Sequence, residues 1–310
     1  MSEPLTTDVV TTGLRFPEGP VARPDGSVLL VEIARGALSR VAPDGTVEVV
    51  ADCGGGPNGA AIGPDGAVWL CNNGGFFTWH QVSDELLMPG ETPASWAGGS
   101  IQRVDPVTGL VETVVTECDG QPLRAPNDLV FDRDGGLWFT DHGVTATEFA
   151  DQAGVLYRSP DGTVTGVAHG TEATNGVGLS PAGDRLYVAE THTGRVWAWD
   201  VVGAGQLGSD PASPARHGGT LLYDAPDGHL FDSLAVDGEG WVCVATLGQG
   251  GITGVSPDGS ATEHRSLPDP LVTNICFGGD DGRTAFITSS GRGELLTTRW
   301  HRPGLALAFS

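Results

Sequence analysis

Short apolar runs alternate with turn residues along the whole chain, and six of these runs share one arrangement. Each copy opens on a carboxylate or amide side chain, has a glycine eight residues later and continues into a second apolar run. The opening residues are Glu18, Asn58, Asn127, Asn175, Asp232 and Asn274, and the glycines are Gly26, Gly66, Gly135, Gly183, Gly240 and Gly282. Because Asp-Gly and Pro-Asp-Gly sequences favour tight turns, each copy is predicted to form a β-hairpin.

A second hairpin is predicted after each copy, and in the fourth and last copies it would occupy residues 194–208 and 293–309. Two hairpins make a four-stranded sheet, so six copies predict an all-β fold, a six-bladed β-propeller. Residues 1–310 are then expected to form a single domain. Residues 8–14 are expected to supply an outer strand that closes the ring against the last blade, in a way that the sequence does not fix.

The six opening residues are predicted to form a ring, because the first strand of each propeller blade lines the central channel. Carboxylate and amide oxygens are the ligands that hard divalent cations prefer. A buried carboxylate such as Glu18 is costly unless it is paired or binds a metal. The alternative is that Asn58-Gly59 and Asn175-Gly176 are ordinary Asn-Gly turns.

Charge and cysteine content narrow the class of function. The 310 residues carry 16 basic and 39 acidic side chains, a net charge of −23, which disfavours binding to nucleic acid or to an anionic membrane. Five cysteines without a CxxC pair favour a reduced, cytoplasmic protein. The start of the chain lacks the pattern of a signal peptide, and no apolar run is long enough to span a membrane.

Several catalytic motifs are absent from the sequence. It contains no HExxH or CxxC site, which argues against a zinc protease or a structural zinc. It also contains no GxSxG motif, which argues against a serine hydrolase.

Four motifs together resemble the SMP-30/gluconolactonase family, also called regucalcin-like: FPEGP (16–20), PND (126–128), TNGVGLS (174–180) and DSLAVDGEGWVCVA (232–245). The resemblance covers nearly the whole chain and implies a six-bladed propeller with one divalent metal ion in its channel. It implies Glu18, Asn175 and Asp232 as metal ligands, with Asn127 as a ligand or substrate contact. Ca²⁺ is expected first, with Mg²⁺, Mn²⁺, Fe²⁺ or Zn²⁺ as alternatives.

Members of this family hydrolyse sugar lactones, and some relatives hydrolyse organophosphates. The resemblance implies that the metal polarises the ester carbonyl and activates a water, with Asp232 as the base. Sugar-lactone members often have arginine two residues before the third-blade asparagine, where this chain has Ala125, with Arg124 next to it. The substrate is therefore left open between a sugar lactone and a more apolar cyclic ester.

An insertion at residues 74–99 is expected on the same face as the ring. It is rich in aromatic residues and is interpreted as a lid that supplies an apolar wall, or as a loop whose rings pack on the blades. His142 and His192 are expected near the mouth, with His142 as a second candidate for proton transfer or substrate contact. The predicted substrate contacts are Asn58, Phe76, Trp79, Arg124, Asn127 and His142.

The leading hypothesis is a metal-dependent lactone hydrolase that acts on a small-molecule substrate. Two alternatives remain open: another metal-assisted reaction, such as phosphoester or organophosphate hydrolysis or a pathway-specific step, and a non-catalytic binding module with a structural metal. A binding module does not need the carboxylates Glu18 and Asp232 in its channel, which counts against that alternative. The sequence does not indicate an oligomeric state.

Overall fold

Six antiparallel sheets surround a central channel in the computed structural model, which describes residues 3–146, 149–151, 153–226 and 228–310. The described part of the chain contains strands and turns and no α-helix, and therefore no helix long and apolar enough to cross a membrane. The prediction of an all-β, six-bladed propeller is confirmed.

The strands, in chain order, are β1 (Glu3–Pro4), β2 (Asp8–Thr11), β3 (Pro17–Ala22), β4 (Val28–Glu32), β5 (Ala37–Val41), β6 (Val47–Asp52), β7 (Pro57–Ile62), β8 (Val68–Asn72), β9 (Trp79–Ser83), β10 (Leu86–Pro89), β11 (Ser100–Val104), β12 (Val111–Val115), β13 (Glu117–Cys118), β14 (Gln121–Pro122), β15 (Pro126–Phe131), β16 (Leu137–Asp141), β17 (Val144–Ala146), β18 (Phe149–Asp151), β19 (Gly154–Arg158), β20 (Val164–His169), β21 (Thr174–Leu179), β22 (Arg185–Glu190), β23 (Arg195–Gly203), β24 (Gln206–Leu207), β25 (Thr220–Asp224), β26 (Leu230–Val236), β27 (Val242–Leu247), β28 (Gly251–Val255), β29 (Thr262–Ser266), β30 (Val272–Gly278), β31 (Thr284–Ser289) and β32 (Glu294–Arg299).

Each blade has its innermost strand against the channel and its outermost strand at the rim. From the inside outward the blades are β3-β4-β5-β6, β7-β8-β11-β12, β15-β16-β19-β20, β21-β22-β23-β25, β26-β27-β28-β29 and β30-β31-β32-β2. The second strands are apolar on both faces because each blade packs between two others; β4, with the sequence VLLVE, is buried at every position. The rim strand β6 is mostly exposed, so the core lies between the blades.

Glycine allows the innermost strands to approach one another closely. A Cβ atom on Gly19 would lie 2.6 Å from the carbonyl oxygen of Asn58, and one on Gly59 would lie 2.7 Å from that of Asn127. A Cβ on Gly176 would meet the next strand in the same way. Asn58-Gly59 and Asn175-Gly176 therefore lie inside β7 and β21, and their interpretation as ordinary turns is wrong.

Two predicted outer strands are also wrong. In blade four, β23 runs on to Gly203 and pairs with the short β24, but the fourth strand of the sheet is β25, which lies beyond the predicted hairpin of 194–208. In blade six, residues 301–309 form only an isolated bridge between Gly304 and Asp237, and the rim strand is β2. Strand β25 lies beyond the local pattern, whereas β2 falls within residues 8–14, where an outer strand that closes the ring against the last blade was expected, and that expectation is confirmed.

The N-terminal segment closes the ring. Strand β2 pairs with β32 through Asp8–Thr297 and Val9–Leu296, and β1 adds a parallel strand to the rim of blade five. Blades five and six, the last two along the chain, thus receive their outermost strands from its N-terminal residues.

The insertion of blade two crosses the top of blade one. It contains the hairpin β9-β10, in which Leu87 is buried in the core cluster between blades one and two. The backbone N–H of Leu87 donates to the carbonyl of Gly291 at 2.8 Å, which attaches the hairpin to a loop of blade six. The 74–99 segment is therefore tied down at its far end.

A buried ion network joins blade five to the C-terminal segment. Arg302, 7% exposed, donates to Asp237, which is fully buried, and to Glu263 at 2.6 Å. We expect Arg302→Met to lower the free energy of unfolding by about 3 kcal/mol, because it leaves the carboxylate of Asp237 buried without its charged partner. Urea unfolding measures the loss.

Arg299→Met is the matched control for this network, since the ion pair of Arg299 with Asp281 is solvent-exposed. We expect no measurable loss of stability in this variant, because exposed pairs contribute little. If Arg302→Met and Arg299→Met lose the same free energy of unfolding, the buried network contributes no more stability than an exposed ion pair.

Candidate metal and active site

A β-bulge lies at the ring position of every blade. The strand pairing shifts register at or beside the six ring residues, in the intervals Glu18–Val21, Pro57–Ala60, Pro126–Leu129, Thr174–Val177, Phe231–Leu234 and Val272–Asn274. Bulges redirect side chains and are common beside active sites. The bulges therefore interrupt regular pairing at or beside each ring residue, although Glu18 and Asn274 keep partners in the neighbouring strand.

Five of the six ring side chains are buried, and the sixth, Asp232, is partly exposed. Glu18 is 2% exposed, and its Oε2 accepts hydrogen bonds from Asn274 Nδ2 at 2.8 Å and from the N–H of Gly19. Its Oε1 is buried and has no hydrogen-bond partner among the described residues. The same holds for Oδ1 of Asn127, which gives two unpartnered buried oxygens in the predicted ligand set.

The amide of Asn175 is held in one orientation. Its Nδ2 donates to Oγ1 of Thr191 at 3.0 Å, and its Oδ1 accepts from Oγ of Ser233 at 3.3 Å. Asn175 also forms a hydrogen bond that favours the charged form of Asp232. The side-chain amide of Asn175 therefore faces Asp232 and Ser233 of blade five.

A third carboxylate, Asp128, lies beside the ring and was not predicted. It is 6% exposed and accepts from the N–H groups of Leu129 at 2.9 Å and Val177 at 3.3 Å. Asp128 lies inside the bulge of β15, one residue after the repeated position, so the comparison of the six ring positions did not include it. The only signal was its position in the PND motif.

The carboxylates of this centre repel one another. Burial raises the pKa of Glu18 well above its usual value, and the charges of Asp232 and Asp128 raise it further. Burial, with the charge of Asp128, raises the pKa of Asp232 to about 7, and burial raises that of Asp128 to about 7. A cation at this position would offset the repulsion and the cost of burial.

The donor set fits a divalent cation that prefers oxygen. Glu18, Asn127, Asn175 and Asp232 offer carboxylate and amide oxygens, and two of these oxygens are unpartnered. The described ranges contain no group of three or more His, Cys, Asp or Glu side chains that could hold a metal. An ion at the ring would thus depend on amide as well as carboxylate ligands.

A second set of polar residues, at the ends of the second strands, supports the ring. Glu32 accepts from the N–H of Arg15 at 2.7 Å, and Asp141 accepts from the N–H of Ala125 at 2.8 Å. Asn72 and Glu190 hold the preceding loops of their own blades similarly. These residues follow the ring positions by 14 or 15 residues, a repeat visible in the sequence but not used in the prediction.

Two strained residues precede ring positions. Phe16 and Ala173 have φ values of 58° and 52°, in the left-handed region that non-glycine residues rarely adopt. Each lies two residues before a predicted ligand, Glu18 or Asn175. Such strain is often found at functional sites, where the surrounding structure maintains it.

Three of the six predicted substrate contacts fall into two groups of rings. Phe76 lies 5.6 Å from Trp96 and 6.3 Å from His142 between ring centroids, and His142 lies 5.8 Å from His192. Trp79 instead packs on Phe16 at 4.9 Å.

The remaining predicted contacts are placed differently. Asn58 is buried at the ring, whereas Arg124 lies over the Trp96 ring at 5.8 Å. Ala125 is buried, and its methyl side chain offers no polar group to a substrate.

His142 is expected to remain neutral in the folded protein. Burial, with a smaller effect of His192, lowers its pKa to about 4, whereas the value in an unfolded chain is about 6.5. Between these values the unfolded state binds more protons, so His142 makes stability fall as the pH drops from about 6.5 to about 4. In His142→Asn we expect this loss to be smaller by about 2 kcal/mol.

Urea unfolding of the metal-free proteins at about pH 7 and about pH 4.5 measures the difference. Identical losses in wild type and His142→Asn would contradict a neutral His142. A group with such a low pKa is a weak base, which favours substrate contact over proton transfer as its role.

The chain is similar to known proteins over most of its length. Residues 16–291 match the SMP-30/Gluconolactonase/LRE-like region. The gluconolactonase of Zymomonas mobilis is 27% identical over 307 residues, covering 91% of this chain and 78% of the relative. The pentonolactonase XacC of Haloferax volcanii is 26% identical over 288 residues, covering 92% of this chain and 85% of the relative.

A solved structure supports the fold. The calcium-binding protein regucalcin of Agrobacterium tumefaciens superimposes with a TM-score of 0.73 at 19% identity, covering 99% of each chain. The family match extends over most of the chain, from the first ring residue to the last. The chain therefore belongs to the SMP-30/gluconolactonase/LRE-like family.

Proposed function

We propose that this protein hydrolyses lactones with a divalent metal ion held at the ring of its channel. The observation that carries the proposal is the unpartnered, buried Oε1 of Glu18, which lies in a repulsive group of carboxylates. Buried charge of this kind is stable when it binds a cation. Membership of the family, with a gluconolactonase and a pentonolactonase among its relatives, supports lactones as the substrate class.

Glu18, Asn127, Asn175 and Asp232 would hold the ion, with Ca²⁺ as the first candidate because every donor is oxygen. When bound, the ion supplies Lewis acidity, which polarises an ester carbonyl and makes a water more acidic. Asn274 keeps Glu18 in place, and Thr191 and Ser233 orient Asn175.

Asp232 is the proposed base. It is the one partly exposed carboxylate of the ring, so water and substrate can reach it from the channel mouth. It would accept a proton from the water whose oxygen attacks the lactone carbonyl. The C–O ester bond of the lactone then breaks. Its alkoxide oxygen takes the proton from Asp232, which gives a hydroxy acid. His142 would contact the substrate at the mouth.

A hydrolysis screen tests the proposal. The metal-free protein is reloaded with Ca²⁺, Mg²⁺, Mn²⁺ or Zn²⁺ and given aldonolactones, unsubstituted lactones and apolar lactones, with acid release followed by a pH indicator. We expect turnover only in the reloaded protein. A parallel set of phosphotriesters tests the alternative reaction, and turnover of these alone would overturn the lactone proposal. Tight metal binding without turnover of any ester would favour the binding module.

A further inference from the structure

Five aromatic rings form a continuous row along one side of the channel mouth. We call this row the aromatic arc; its members, in spatial order, are Phe16, Trp79, Phe77, Phe76 and Trp96. Successive ring centroids are 4.9, 6.1, 4.9 and 5.6 Å apart. One end begins two residues before Glu18, and Phe76 near the other end faces His142.

The arc leaves apolar surface open. Its four members from the insertion are only partly buried, and their contacts are edge-to-face, with interplanar angles of 65° to 76°. Such contacts cover less of each ring than stacking does. Trp96 Nε1 already donates to the carbonyl of Asn73 at 2.8 Å, so its polar atom is not available to a ligand.

The supports of the arc are rigid. Oδ1 of Asn73 accepts from the N–H groups of Gly75 and Phe76, each at 3.0 Å, and fixes the start of the insertion. Leu87 attaches its far end to blade six. A surface held at both ends is suited to select a ligand by shape, because little ordering is needed on binding.

A cavity of about 130 Å³ lies beside the arc. The rings of Phe77 and Trp79 form part of its wall, and the glycines Gly36, Gly54, Gly55, Gly56 and Gly75 form much of the remainder. Arg35 and Asn73 also line this cavity, and its lining is more polar than apolar, so the cavity adds room for water or a polar group beside the arc. The cavity also touches Ile33, whose N–H donates to the carbonyl of Phe16, so it lies next to the segment that leads to Glu18.

We propose that the substrate is a lactone with a flat, apolar substituent that lies along the aromatic arc while the lactone ring occupies the channel mouth. The inference rests on the proposed lactone hydrolysis and adds the substrate class. Flat apolar groups gain from burial against aromatic faces, whereas sugar hydroxyls that lie against these faces lose water without gaining a hydrogen bond.

The experiment compares three five-membered lactones: γ-phenyl-γ-butyrolactone, unsubstituted γ-butyrolactone and galactono-γ-lactone. We expect kcat/KM for the phenyl lactone to exceed that for the sugar lactone by about tenfold or more, the effect of burying part of one aromatic ring. In Phe76→Ala the ratio of phenyl to unsubstituted lactone should fall about tenfold. Phe76→Leu keeps an apolar side chain at this position but loses the aromatic ring, so in this variant the ratio should fall about threefold.

Val82→Ala is the matched control, since Val82 is an exposed residue of the same insertion and lies outside the arc. Its ratio should equal that of the wild type. Faster turnover of the sugar lactone than of the phenyl lactone by the wild type, or an unchanged ratio in both Phe76 variants, would overturn the inference.

Binding of γ-phenyl-γ-butyrolactam, which is not hydrolysed, separates this inference from the proposed function. Quenching of tryptophan fluorescence by the lactam in the wild type, weakened about tenfold in Phe76→Leu or Phe76→Ala, supports the arc even when no lactone is turned over. Absence of lactam binding to the metal-loaded wild type overturns the arc as a substrate surface, whatever the hydrolysis screen shows.

Discussion

Asp232→Asn is expected to lower kcat for lactone hydrolysis by about 10³-fold at saturating metal, because the amide cannot accept the proton of the attacking water. The substitution keeps the size of the side chain and an oxygen that can bind a cation. KM should change much less than kcat, since the loss falls on the chemical step. Steady-state kinetics at several metal concentrations measure both parameters.

Asp280→Asn is the control for this loss. Asp280 is exposed in the turn between β30 and β31, at the opposite end of its blade from the ring. The Asp280→Asn substitution changes the net charge by the same amount as Asp232→Asn, and it should leave kcat at the wild-type value. If Asp232→Asn loses only metal affinity and regains full kcat at high metal concentration, Asp232 is a ligand and not the base.

Glu18→Gln is expected to weaken metal binding by at least about 100-fold, because the amide removes one of two carboxylate charges from the ring. The metal-free variant should be as stable as the metal-free wild type or more so, since a buried, unpartnered carboxylate oxygen is removed. Added metal stabilises a protein by about 2.7 kcal/mol at 100 times its dissociation constant. Thermal unfolding with and without Ca²⁺ should therefore show a large metal effect in the wild type and almost none in the variant.

Glu32→Gln provides the contrast within the same blade. Glu32 is also fully buried, but its carboxylate accepts from Arg15 and Ser39 and pairs with Arg35 at 2.9 Å. This variant should lose about 1–3 kcal/mol of stability without metal and keep its response to Ca²⁺. A normal calcium response in Glu18→Gln would contradict the ring as the metal site.

The architecture could be predicted from the sequence because hairpins are local. The turn residues and the second apolar run lie within 15 residues of each ring position, so the six channel strands were identified from pattern alone. The rim strand of blade four was not, and that of blade six was expected from residues 8–14 without a defined pairing. Strand β25 follows a long loop, and β2 comes from the other end of the chain, so neither pairing leaves a local signal.

The candidate site was partly predictable for a similar reason. Glu18 and Asp232 stand out as carboxylates at a repeated position, whereas Asp128 lies one residue after that position and inside a bulge. The bulges that redirect the ring residues have only a partial residue signature, because a glycine follows the ring residue in three blades, at Gly19, Gly59 and Gly176, and not in the others. The strain at Phe16 and Ala173 depends on backbone geometry and was equally invisible. The assignment of ligands, base and substrate contacts remains a prediction.

Closure of the ring by β2 has a consequence for the folding pathway. Asp8 pairs with Thr297, so the sixth blade cannot be completed until almost the entire chain has been synthesised. Such non-local pairing slows folding, because the entropy of closing a very long loop is lost before the contacts form. Until then the edge of β32 is unpaired and open to association with other chains. The pairing of β2 with β32 therefore requires both ends of the chain, whatever the order in which the other blades form.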